Sequence, residues 1–159
     1  ETARQLHAVG VRAIDLSGRG GTNFAWIEAE RGGTTQDPGL LNWGIPTPAA
    51  LLEVADLGLP GLELIASGGI RWGSEAAKAL AGGARAVGLA GAVLQAQQSG
   101  GAEGALAYLR AFLWDLRAAT LLAGATSLAE LQRAPLVVTG WTAQWAERRG
   151  VDLDALARR

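Results

Sequence analysis

The sequence contains no cysteine and no methionine, and only one histidine, His7, among its 159 residues. Without cysteine, neither a disulfide framework nor a thiolate metal site can form, and a reducing compartment, hence a cytoplasmic location, is the expectation. A single imidazole removes His-cluster metal sites, and no metal ligand is expected from the residues present. Lysine and arginine number 14 against 15 acidic residues, a formal net charge of -1, with no basic block of the kind that neutralises a phosphate backbone. Nucleic acid is therefore not an expected partner. Apolar runs are broken by Gly, Asp, Glu or Arg well short of the roughly 18 residues a membrane span requires, so no membrane partner is expected either. The polypeptide opens at Glu1 without any methionine. Its natural start is expected upstream, and no targeting segment can be read.

What remains is apolar and rich in glycine. Hydrophobic residues make up 49% and charged residues 18%, with mean hydropathy +0.17, which suits a buried core and excludes a disordered chain. The length fits one domain. Glycine occurs 23 times, roughly twice the usual share of about 7%. These glycines do not cluster with Ser and Pro as in a linker; they fall mainly as pairs just after apolar runs.

Three such runs share one plan. Residues 11–16 (VRAIDL) lead into Ser17-Gly18-Arg19-Gly20-Gly21-Thr22, residues 62–66 (LELIA) into Ser67-Gly68-Gly69-Ile70, and residues 84–90 (ARAVGLA) into Gly91. Between them lie predicted helices. One has Thr47 as N-cap, Pro48 at the first helical position and Gly58 as its stop; the other spans 74–80, with Ser74 as cap, Glu75 in the first turn and Gly82-Gly83 beyond it. Near-continuous apolar strands alternating with helices predict parallel pairing and an α/β fold. From Glu103 the pattern becomes one long helix, with Leu106, Leu109, Leu113 and Leu116 as its stripe and Gly124 at its end. Ser127 and Glu130 match a capping box, Pro135 stops the short helix it starts, and LVVTG is an extended piece before a polar helix over 142–149. An isolated three-stranded parallel sheet leaves two edges open. The expectation is the C-terminal part of a (β/α)8 TIM barrel with a helical C-terminal tail. Residues 1–159 are then a portion of one domain, with β/α units to about residue 100 and the tail over 101–159.

In such barrels a phosphate commonly sits at the ends of the seventh and eighth strands, held by backbone N–H groups and a helix N-terminus. Gly68, Gly69, Ile70 and Arg71 after one strand, and Ala90, Gly91 and Ala92 after the next, fit this arrangement, with Arg71 as a charged donor. A single glycine pair is more simply a tight turn; two loops after adjacent strands favour phosphate. The loop Gly18–Thr22 fails the G-x-G-x-x-G spacing but puts the Thr22 hydroxyl one strand before the phosphate pair. Asp15 and Ser17 are polar groups near that strand end, Asp15 either facing the site or bracing the loop. His7 lies in an opening helix of the outer ring and reads as structural. Glu28, Glu30 and Arg31 read as a solvated helix or salt-bridged turn, and Phe24 and Trp26 as pocket lining or simple packing. No nucleophile–base pair is visible, so no catalytic residue is assigned and the chemistry is expected from a cofactor or from residues outside this chain.

The strings DLSGRGGTNFAWIE (15–28), WGIPT (43–47), ASGGIRWGSEAAKALAGGARAVGLAGAVL (66–94) and PLVVTG (135–140) together resemble the type 2 isopentenyl-diphosphate isomerases, flavin-dependent (β/α)8 enzymes, over nearly the whole chain as their C-terminal half. The resemblance implies interconversion of isopentenyl diphosphate and dimethylallyl diphosphate with reduced FMN, NADPH as reductant and Mg2+ for the diphosphate, and a homo-oligomer, tetramer or octamer. It implies that Thr22 contacts the flavin, that Gly68, Gly69, Ile70 and Arg71 form the first FMN phosphate loop and Ala90 and Gly91 the second, and that Phe24 lies beside the flavin and prenyl chain. The family's basic substrate-binding residues, its Gln-Glu pair for substrate and Mg2+, and its flavin-binding Lys have no counterpart here. The isolated chain is thus expected to be inactive.

Two other readings stay open. An FMN-dependent 2-hydroxy acid oxidase shares the glycine loops but needs a His motif for which His7 is misplaced. A phosphate-binding half-barrel module would bind phosphate or FMN without turnover. A purine-nucleotide dehydrogenase of this fold needs a cysteine the chain lacks.

Overall fold

The computed structural model describes residues 1–32 and 37–159. Its elements in chain order are α1 (Thr2–Ala8), β1 (Ala13–Ser17), α2 (Phe24–Gly32), α3 (Pro38–Leu41), α4 (Thr47–Ala55), β2 (Glu63–Ser67), α5 (Gly73–Ala81), β3 (Ala86–Val87), α6 (Gly91–Leu122), α7 (Leu128–Leu131), α8 (Gly140–Arg148) and α9 (Leu153–Ala157).

The three strands form one parallel sheet in the order β1-β2-β3, with Ser17 opposite Ser67 and Ala66 opposite Val87. Sequential strands that neighbour one another in parallel need a crossover each time, and the helices between them supply it. Alternation along the strands decides which face is covered. Leu64 and Ala66 are buried in a core with Leu51 of α4 and Ala77, Leu80 and Ala81 of α5, and Ile14 and Leu16 of β1 pack against it. Ala13, Asp15 and Ser17 alternate with them and are exposed, as is Glu63. One face of the sheet is thus helix-covered and the other open and partly polar.

The third strand is shorter than the apolar run predicts. Only Ala86 and Val87 pair with β2, because Gly88 leaves the ladder after donating its amide to the Ala66 carbonyl at 2.9 Å. Two helix starts also differ. Helix α4 begins at Thr47 with Pro46 as N-cap, and no side chain caps it; the Thr47 hydroxyl is engaged elsewhere. Helix α5 begins at Gly73, and Glu75 rather than Ser74 closes its N-terminus, accepting the Arg71 and Trp72 amides at 2.7 and 3.1 Å.

Helix α6 breaks at Gly100 and Gly101, whose backbones are non-helical (φ -139° and +61°). Its second half is the long helix expected from Glu103, but with the buried face turned. Phe112 is the buried residue, Leu109 and Leu116 are half-buried, and Leu106 and Leu113 are exposed. The cause is a close approach of backbones. A Cβ on Gly73 would overlap the Leu116 amide and the Phe112 carbonyl, so α5 rests on the turn between those residues and dictates which side faces in.

The chain after Gly124 folds back over the helices. The Ser127 hydroxyl accepts the Glu130 amide at 3.2 Å as expected of a capping box, while the Glu130 carboxylate accepts both the Thr126 amide and its hydroxyl, at 2.7 and 2.8 Å. Those two hydrogen bonds from Thr126 hold the Glu130 carboxyl below its ordinary value. The segment 135–139, expected as an extended piece, belongs to no strand among the described residues; its Leu136 amide donates to the Leu156 carbonyl at 2.9 Å. Helix α8 is clamped to α4 through Glu53, which accepts the Trp145 indole N–H and the Arg149 guanidinium. Among the described residues no helix is long and apolar enough to cross a membrane.

Candidate functional site

In a parallel sheet every strand ends on the same side, so the loops after β1, β2 and β3 converge at one end of the molecule. The first two interlock backbone to backbone. A Cβ added to Gly68 would lie 2.9 Å from the Ser17 hydroxyl and 3.0 Å from the Gly18 carbonyl, and one added to Gly69 would lie 3.0 Å from the Gly20 carbonyl. Both residues also hold positive φ, +76° and +85°, a region that L side chains avoid. Their glycine character is thus demanded first by the neighbouring loop. By sequence these glycines suit a ligand; in the structure Gly20, Gly21, Gly68 and Gly69 are mutual neighbours.

Below this interlock the Ser67 hydroxyl donates to the Asp15 carboxylate at 2.7 Å, so Asp15 braces the β2 exit from the open face of the sheet. The Thr47 hydroxyl lies 3.1 Å from the Gly18 amide, from which it accepts, and 2.9 and 2.8 Å from the carbonyls of Ser67 and Gly68. Sequence reasoning missed this second junction. By sequence Thr47 reads as a helix cap, and nothing local in the string WGIPT shows that residues 29 and 20 positions away meet there.

The third loop begins beside the second: a Cβ on Gly88 would approach the Ser67 side chain to 2.8 Å. It ends at Ala90, the N-cap of α6, and Gly91, the first residue of that helix, where an added Cβ would meet nothing. The opening amides of α6 have no partner within the helix, and the positive end of its dipole faces out. Ile70 packs against the core. Arg71 is exposed; its amide is held by Glu75 and its carbonyl accepts the Tyr108 hydroxyl at 2.6 Å. Partial burial, and then the Glu75 carboxylate, raise the Tyr108 phenol above its ordinary value. With its amide so engaged, Arg71 has only its guanidinium to offer a ligand.

Thr22 is exposed at the end of the first loop, ahead of Asn23, whose side-chain oxygen accepts the Trp26 amide at 3.0 Å. Phe24, at the start of α2, is 75% exposed. Glu28 pairs with Arg31, and Glu30 accepts the Trp26 indole N–H, both on the solvent side of α2. His7 is on the side where the strands begin, and its Nε2 meets the Pro60 carbonyl at 2.9 Å; a carbonyl only accepts, so Nε2 carries the proton and ties α1 to the loop before β2. A cavity of about 540 Å³ runs beside Gly68 and Gly69 between α4 and α5, walled by Thr47, Leu51, Lys78 and Val138. Among the described residues no group of three acidic or imidazole side chains could hold a metal ion.

Three glycine loops thus gather at the C-terminal ends of successive parallel strands, the end at which barrels of this class carry their sites. Residues 1–138 match the family described as FMN-dependent dehydrogenase, and the chain belongs to that family. It is 65% identical, over its whole length, to the isopentenyl-diphosphate delta-isomerase of Symbiobacterium thermophilum, covering 44% of that protein. It is 45% identical to the enzyme of the same name from Moorella thermoacetica, over 94% of this chain and 42% of that one. The chain thus spans less than half the length of the curated relatives it matches. Among solved structures, a mandelate oxidase variant with a monooxide FMN adduct superimposes with TM-score 0.63 at 28% identity, over 83% of this chain and 37% of that one. A lactate oxidase from Pediococcus acidilactici matches with TM-score 0.65 at 23% identity, over 88% of this chain and 34% of that one, which speaks to fold alone. The fold is a partial (β/α)8 barrel.

Proposed function

We propose that this chain is the flavin-phosphate-holding part of an isomerase that interconverts isopentenyl diphosphate and dimethylallyl diphosphate with reduced FMN, NADPH as reductant and Mg2+ on the substrate diphosphate. The observation that carries this is the 65% identity with the Symbiobacterium isomerase, maintained over the full chain. In this reading residues 1–159 are one portion of a single FMN-binding barrel domain, with the helical tail from about residue 101, in a cytoplasmic homo-oligomer, tetramer or octamer.

The residues suit the phosphate end of FMN. Gly68 and Gly69 carry no side chain between the loop backbone and a ligand and hold positive φ, Ala90 and Gly91 open a helix whose first amides lack internal partners, and Ile70 fixes the loop to the core. Arg71 contributes charge through its guanidinium alone. Thr22 offers its hydroxyl to the flavin, and the exposed Phe24 ring covers the flavin and the prenyl chain. FMN, when bound and reduced, supplies proton transfer at the allylic carbons. The net reaction moves a proton onto the terminal alkene carbon and takes one from the carbon two bonds nearer the diphosphate, so no oxidation state changes. The described residues offer no acid–base pair of their own, and turnover belongs to the full-length polypeptide.

The oxidase reading has solved neighbours, but the one imidazole of this chain, His7, is committed to Pro60 in the loop before β2 and not at the C-terminal strand ends. The test is an assay of purified full-length protein for dimethylallyl diphosphate formation, anaerobically, with FMN, NADPH and Mg2+. Product that disappears when FMN is omitted supports the reading. Lactate or mandelate oxidation without isomerisation contradicts it, and FMN binding without turnover of any of these substrates favours the half-barrel module.

A further inference from the structure

We propose that Thr47 is a positioning residue for the flavin phosphate: through one buried hydroxyl it turns the successive amides of Gly68 and Gly69 to the ligand side of their loop. This rests on the FMN-phosphate reading above and adds to it a residue outside the glycine loops.

The geometry is unusual for two consecutive carbonyls. In extended chain, successive carbonyls point to opposite sides; here those of Ser67 and Gly68 both come within 2.9 Å of the same Thr47 oxygen. Gly68 permits it by holding φ at +76°. Neither peptide is cis, and in a trans peptide the N–H runs antiparallel to the C=O. Drawing the Ser67 carbonyl to Thr47 therefore sends the Gly68 amide away from Thr47, and drawing the Gly68 carbonyl there does the same to the Gly69 amide. Two neighbouring N–H groups aimed the same way form an anion-binding concavity. No hydrogen bond to a described residue engages either amide.

Thr47 can hold this arrangement because it is itself held. It is 6% exposed, so water does not compete for its hydroxyl. Its one proton is shared between the two carbonyls while a lone pair takes the Gly18 amide at 3.1 Å. The β1 loop, the β2 loop and the start of α4 thus meet at one oxygen, and the Thr47 side chain sits behind the cradle rather than inside it.

The experiment compares wild type, Thr47→Val and Thr47→Ser of the full-length protein in titrations with FMN and with riboflavin, which has the same ring and ribityl chain but no phosphate. Val keeps the shape and removes the hydroxyl. The expected result is an FMN affinity at least tenfold weaker in Thr47→Val, riboflavin affinity within twofold of wild type, and near-wild-type FMN binding in Thr47→Ser. Equal losses for both flavins, or no loss for either, overturn the positioning role. A wild type that binds FMN no better than riboflavin overturns the phosphate reading itself, which separates the two failures. If Thr47→Val does not fold, wild-type protein labelled isotopically at glycine nitrogen decides: the Gly68 and Gly69 amide resonances move on adding FMN, and if they stay still the proposal fails.

Discussion

Ser67 donates its hydroxyl to the carboxylate of Asp15 at 2.7 Å, a side-chain bond between two parallel strands 52 residues apart in sequence. It lies on the open face of the sheet, one residue before the first glycine of the β2 loop, and fixes the two strand exits against each other where the loops interlock. Ser67→Ala removes the donor and is expected to lower unfolding free energy by about 1 kcal/mol, since the pair is charge-assisted but solvent-accessible. Asp15→Asn keeps an acceptor and is expected to lose less. Urea unfolding of both variants checks the order; an unaltered midpoint in Ser67→Ala removes the bond from any role in stability.

Gly73 is the point where the backbones of α5 and α6 touch, leaving no room for a Cβ beside Phe112 and Leu116. Gly73→Ala is expected to destabilise by about 1–3 kcal/mol through overpacking, although alanine is the better helix former. Denaturant unfolding reads this directly. A neutral or stabilising outcome would mean that the two helices separate freely.

The Glu130 carboxyl is held below its ordinary value of 4.5 by the hydrogen bonds from Thr126. A depressed carboxyl contributes stability that is present above the unfolded value and is lost as pH falls through the folded one. Glu130→Gln keeps the shape and removes the titration. Between pH 6 and about pH 3, Tm of the wild type is expected to fall further than that of Glu130→Gln. Parallel curves would show that the α7 cap does not sense pH.

Much of this was legible from the sequence because it is local: three apolar runs meeting glycine, and Ser127 and Glu130 at capping distance. Legibility failed where position depends on what lies across the fold. Thr47 looks like a cap because threonine before proline commonly is one, and only tertiary structure brings Gly18 and Gly68 to its hydroxyl. The leucines at 106 and 113 fit a buried stripe by period, yet the contact with Gly73 turns Phe112 inward instead. The glycines at 68 and 69 were visible, but their first constraint, the backbone of Gly18 and Gly20, was not.

That constraint decides how the phosphate site should be tested. Asp introduced at Gly69 would repel a phosphate, but any side chain there also strains a positive φ and meets the Gly20 backbone at 3.0 Å. Loss of flavin in Gly69→Asp would therefore have two causes. Gly91 is free of both, with open space around its Cα and an ordinary φ, and an acidic residue in the first helical turn is favoured by the dipole.

The most direct measurement is thus the FMN affinity of full-length Gly91→Asp beside its thermal stability without flavin. The expected result is a Tm no lower than wild type and FMN binding weakened at least tenfold, a cost of about 1.4 kcal/mol or more, because the new carboxylate stands where the proposed phosphate site lies. FMN affinity equal to that of wild type, in a variant equally stable, would contradict a phosphate at the head of α6.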